Sequence, residues 1–126
     1  MQILDHVDLR VRNITAATAF YDGFLPLLGG VKRVNAEFTT WRIPPADGEL
    51  DDAPDSFGIV EDRAHVADAS RIALKAQSRA VVDAIAGRLS SLGARNIEMD
   101  DGIYGDGYYG VFFEDLDGNR LEVCVQ

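Results

Sequence analysis

The 126 residues include one cysteine (Cys124), two histidines (His6 and His65) and one tryptophan (Trp41). A lone cysteine excludes an internal disulfide and any multi-cysteine metal site. Basic residues are scarce as well: 12 Lys and Arg stand against 21 Asp and Glu, a net charge of −9. That balance opposes nucleic acid and anionic membrane surfaces, whose phosphates it repels. No apolar run approaches the ~20 residues needed to span a bilayer, and no leader pattern opens the chain. Serine-nucleophile motifs and phosphate-binding glycine loops are missing too. What is present is an ordinary globular composition, 47% hydrophobic and 26% charged, which excludes wholesale disorder. The expectation is one acidic, cytoplasmic domain with neither nucleic acid nor membrane as partner.

The chain reads as one pattern used twice. Ile3 to Val11 alternates, with Val7, Leu9 and Val11 on one face and His6, Asp8 and Arg10 on the other. Asn13 or Thr15 can cap the helix that follows, where Phe20, Phe24 and Leu28 recur beside Tyr21 and Leu25. Pro26 should bend or tighten its last turn, and Gly29-Gly30 stops it. In the second half, Arg71 to Ala76 is again a short strand, and Ser78 can cap a helix striped by Val82, Ile85, Leu89 and Leu92. Gly93 closes that helix. The same offset, within one residue, carries His6 onto Arg71 and Gly29 onto Gly93.

Further strands follow each helix. Residues 31–43 suit one bent strand or two, and 56–60 another; the second half offers 94–99, 108–114 and 120–125. The last pair flanks the turn Asp115-Leu-Asp-Gly-Asn119, whose two aspartates suit a structural role better than acid catalysis. The predicted helices cover about residues 15–28 and 79–92. The predicted modules cover about 1–62 and 69–126, each reading strand, helix, then two or three strands. A proline-rich acidic loop spans 44–55, and a glycine-rich loop around Tyr104 suits either a cover over a ligand or a plain connection.

Three stretches together resemble the vicinal oxygen chelate superfamily, which includes glyoxalase I, extradiol dioxygenases and the bleomycin- and fosfomycin-resistance proteins. They are His6-Val-Asp-Leu-Arg-Val11 with Ala19-Phe-Tyr21 and Leu28-Gly29, Arg71 to Ala76 with Leu92-Gly93, and Tyr108 to Glu122 around the closing turn. Leu116 replaces the proline usual in that turn. The resemblance implies an α+β fold of two βαβββ modules forming a half-open barrel with a central cavity, commonly as a homodimer.

The resemblance also implies four metal-ligand slots, on the opening and final strands of each module. His6 and Glu122 match two of them. A third falls near Gly58, which has no side chain, and Arg71 stands where the second histidine belongs. A guanidinium has no lone pair to donate and repels a cation. Two protein ligands fall short of the three that a catalytic metal ordinarily needs, so no metal cofactor is expected, and Arg71 is expected to pair with Glu122. His65 reads as an exposed loop residue. Candidate ligand contacts are His6, Trp41, Arg71, Tyr104, Tyr108, Phe112 and Glu122. Trp41 suits core filling better than a ligand contact, and Tyr108 and Tyr109 must face opposite ways. Cys124 reads as a small buried side chain. Three functions compete: a metal-free binder of a small anionic or aromatic ligand, a metal-dependent lyase or dioxygenase, and a metal-free enzyme with His6 or Glu122 as catalytic base.

Overall fold

The computed structural model describes residues 3–44, 55–100, 102, 105 and 107–126. Two compact units divide the chain, Met1–His65 and Val66–Gln126. Each carries a four-stranded mixed sheet backed by one α-helix, the βαβββ order written twice.

In the first unit, β1 (Val7–Val11) pairs parallel with β4 (Asp55–Glu61), and β4 pairs antiparallel with β3 (Phe38–Arg42). The sheet ends at β2 (Val31–Val34), giving the order β1-β4-β3-β2. Residues 31–43 are therefore two strands. The opening strand is shorter than its alternation suggested, because Ile3 and Leu4 are 93% and 70% exposed and bury nothing against the unit.

Helix α1 (Ile14–Asp22) begins at Asn13, whose side chain accepts the Ala16 backbone N–H at 2.9 Å. It stops earlier than the apolar stripe predicted. Pro26 falls in a separate 3₁₀ turn, Leu25–Leu28, closed by Gly29 at φ +87°. Phe20, Tyr21, Phe24 and Leu25 are buried together, so the stripe is continuous in space although the helix is not.

The second unit repeats the scheme with fewer departures. Strand β5 (Arg71–Lys75) pairs parallel with β8 (Arg120–Val125). Strand β8 pairs antiparallel with β7 (Tyr109–Glu114), and β6 (Arg95–Asp100) forms the far edge. Helix α2 (Arg79–Leu92) is capped by Ser78, which accepts the Val81 N–H at 3.2 Å, and ends at Gly93 with φ +98°. The β7–β8 turn is held by Asp115, 1% exposed, whose carboxylate accepts the N–H groups of Asp117 and Asn119 and the Asn119 side-chain amide. Asp115 is thus structural, and Gly118 alone in that turn takes a positive φ.

The strand period of two assigns the faces. Val11, Trp41, Phe57 and Ile59 lie toward α1, and Val111, Phe113, Leu121 and Val123 toward α2, all buried. The opposite face of each sheet carries the polar and chemically active side chains. No helix among the described residues is long and apolar enough to cross a membrane.

Candidate functional site

On the first sheet, the face away from α1 presents His6, Asp8, Thr40 and Gly58. Asp8 and Thr40 flank Gly58 in register, one on each neighbouring strand. Gly58 makes that row possible: a Cβ there would come within 2.8 Å of Asp8 Oδ1. The Asp8 carboxylate lies across the bare backbone, and its Oδ2 is 3.5 Å from His6 Nε2. His6 Nδ1 is 2.8 Å from Asp5 Oδ1. The Asp5 hydrogen bond, and next the Asp8 charge, raise the His6 pKa above its ordinary value, favouring a ring that donates from both nitrogens. A pocket of about 330 Å³ opens here, walled by Phe38, Phe57 and Val60 beside His6 and Asp8. Thr40 also lines it, with its Oγ1 buried and without a hydrogen-bond partner among the described residues.

On the second sheet, the face away from α2 carries Arg71, Phe112, Glu122 and Cys124, with Tyr108 immediately before β7. The Tyr108 hydroxyl donates to Glu122 Oε2 at 2.7 Å. Burial first, and the Glu122 carboxylate second, hold that phenol well above its ordinary pKa, so it stays a neutral donor. Gly110 provides the room, since a Cβ there would collide with the Tyr108 hydroxyl. Cys124 lies on the same face, its thiol pushed up to about 11 by burial and then by Glu122. Glu122 is therefore neighboured by two neutral proton donors.

Arg71 departs from its expected role. Its guanidinium crosses β8 and lies over the Phe112 ring on β7, 4.7 Å from the centroid. No ion pair joins it to Glu122 among the described residues, although Ala73, two positions along β5, is the register partner of Glu122. The reason is reach. A long side chain on an edge strand extends past its neighbour to the aromatic face, and Glu122 turns to Tyr108.

Trp41 is the other correction. It is 0% exposed, on the α1 side of its sheet, packed against Tyr21 and Phe57, with its indole N–H donating to Asp22 at 3.0 Å. It is core and not a ligand contact. Tyr109 likewise turns to its helix, donating to Asp83 beneath the Arg79 guanidinium. That leaves Tyr108 as the tyrosine on the free face. Tyr104 lies outside the described residues. His65 sits in the turn after β4, where its carbonyl accepts from Arg12. Asp8, Phe38, Thr40 and Gly110 escaped the sequence reading, though a glycine inside each strand pattern was a usable signal of close approach.

No family model and no curated protein matches the sequence. Solved structures do match. A glyoxalase/bleomycin resistance protein from Albidiferax ferrireducens aligns over 99% of this chain and 100% of its own, with TM-score 0.77 and 23% identity. A genomically encoded fosfomycin resistance protein from Listeria monocytogenes aligns over 100% and 94%, at 0.69 and 20%. A glyoxylase/bleomycin resistance protein/dioxygenase domain from Frankia aligns over 99% and 98%, at 0.67 and 17%. The chain has the vicinal oxygen chelate fold.

That fold implies a metal, and the donor set here does not fit one. Position 71 supplies a cation stacked on an aromatic ring, and position 58 supplies no side chain. Glu122 is already bound by Tyr108. Among the described residues, no group of three or more His, Cys, Asp or Glu is arranged to hold an ion. Among the described residues, the fold is present without the ligand set that the resemblance implies.

Proposed function

We propose that this chain is a binding protein for a small organic anion, held on the helix-free face of the second sheet without a metal. The observation that carries the reading is the exposed Arg71 guanidinium, fixed over Phe112 and free of any carboxylate partner among the described residues. The aromatic face places the guanidinium, whose N–H fork can take a carboxylate or similar oxyanion. Phe112, half-buried on the same face, supplies aromatic surface for the rest of the ligand. The separate His6 pocket in the first unit offers a further apolar-walled cavity.

Binding is better supported than base catalysis. His6 has a carboxylate beside each ring nitrogen, so both nitrogens are already engaged. Glu122 is engaged by the Tyr108 hydroxyl. We also infer a homodimer, because the edge strands β2 and β6 expose Val31, Val34, Ile97 and Met99. A cytoplasmic setting is supported by the acidic composition and the single cysteine.

The test is a thermal-shift screen of aromatic and aliphatic carboxylates in the presence of chelator. Stabilisation by an anion series with no response from the matching neutral amides is expected. Stabilisation that appears only after divalent metal is added would overturn the reading.

A further inference from the structure

The cavity on the first sheet contains a polar group that the chain itself leaves unsatisfied. Adjacent threonines on β3 face opposite ways. The Thr39 hydroxyl meets the Thr18 hydroxyl of α1 at 2.9 Å. Thr40 instead lines the cavity, 8% exposed, with its Oγ1 buried and without a hydrogen-bond partner among the described residues. A buried hydroxyl with no partner costs free energy that a ligand can recover.

Asp8 converges on the same place. Its Oδ1 lies 2.8 Å from the point above Gly58 where a Cβ would stand, and the Thr40 methyl group lies 3.4 Å from it. A turn about the Thr40 Cα–Cβ bond exchanges methyl and hydroxyl, which sets the hydroxyl beside the carboxylate. Among the described residues no arginine or lysine pairs with Asp8, and His6 Nε2 stands 3.5 Å from its other oxygen. Phe38 and Val60, register partners one row along, form an apolar wall on the same face.

We propose that this cavity binds a primary ammonium ion on a short aryl or alkyl stem, with Asp8 as counter-charge, Thr40 as second acceptor and Phe38 and Val60 against the stem. An ammonium group has three donors and no acceptor, which matches a carboxylate and a hydroxyl that both accept. An anionic head would meet the Asp8 charge and be repelled. The volume of about 330 Å³ suits a compact ligand. This site shares no residue with the anion site of the second sheet, so either can fail without the other.

The experiment titrates phenethylamine, 2-phenylethanol and phenylacetate calorimetrically at about pH 7, where the amine is protonated, with chelator present. The amine is expected to bind at least roughly tenfold more tightly than the alcohol. That preference should vanish in Asp8→Asn and persist in Arg71→Gln. Thr40→Val should bind the amine roughly threefold or more weakly, yet unfold in urea no more easily than the native protein, because it loses no internal hydrogen bond. An amine that fails to bind, or binds no more tightly than the alcohol, would overturn the proposal. So would a preference that survives Asp8→Asn, or phenylacetate outcompeting the amine in Arg71→Gln. Undiminished amine binding by Thr40→Val would show the hydroxyl to be structural and overturn the assigned contacts.

Discussion

The Tyr108 hydroxyl donates to Glu122 Oε2 across 2.7 Å, and that bond occupies one oxygen of the carboxylate on the helix-free face of β8. The bond depends on a third residue, Gly110, because any side chain there would strike the phenol. Tyr108 is only 3% exposed, so the carboxylate it caps is partly shielded from water on that side. Such a carboxylate is costly to leave without a donor.

Tyr108→Phe should therefore destabilise the protein by about 1–3 kcal/mol, by uncapping Glu122. Gly110→Ala should cost a similar amount, about 1–3 kcal/mol, because the ring must move to admit the methyl group. The double variant should lose less than the sum, since both changes break one contact. Urea unfolding of the three proteins checks this, and strict additivity would show that Gly110 serves some other purpose.

Cys124 should alkylate slowly at neutral pH, with a rate that climbs towards about pH 11. Burial is the larger cause, so Glu122→Gln should lower the midpoint only in part. The linkage sign follows from the raised value. The neutral thiol is favoured in the folded state, so its contribution to stability is full below the ordinary thiol pKa of 9.0 and is lost as pH rises through about 11. A pH–rate profile with iodoacetamide reads the midpoint directly, and a midpoint at or below the ordinary value would contradict the site geometry.

His6 should titrate above its ordinary value of 6.5, and Asp5→Asn should bring it down further than Asp8→Asn, following the order of their effects. With the folded value raised, whatever the charged ring contributes to stability is present at low pH and lost as pH rises through its titration. Side-chain NMR of the three proteins measures the shifts. A larger drop in Asp8→Asn would reverse the assigned roles of the two carboxylates.

Trp41→Phe tests the placement of the tryptophan. It removes buried volume and the bond to Asp22, at a cost of about 1–3 kcal/mol. Anion affinity at the second sheet should not change. A Trp41→Phe protein of native stability would mean that the indole is not packed in the core.

The fold was largely legible from the sequence, and the residues show why. Alternation in Val7 to Val11, the caps at Asn13 and Ser78, and the stop at Gly93 are local signals that the structure uses, whereas α1 stops at Gly23 and Gly29 closes the 3₁₀ turn beyond it. Trp41 was not legible in the same way. In Phe38-Thr-Thr-Trp41 an aromatic and a threonine fall on each face, so only the position of α1 decides which side is core. Arg71 and Glu122 were harder still. Their strands and face were readable, but a guanidinium that passes over β8 to reach Phe112 depends on side-chain reach, which periodicity does not encode.

The central claim is that Arg71 holds an organic anion in the absence of metal, and one calorimetric comparison tests it most directly. Phenylphosphonate is titrated into the native protein and into Arg71→Gln, both freed of metal by chelator. The native protein should bind one equivalent per chain, and Arg71→Gln should bind about tenfold or more weakly, the loss expected for a charge-assisted contact on a partly exposed face. Equal affinities in the two proteins, or binding by the native protein only when nickel or manganese is restored, would contradict the account.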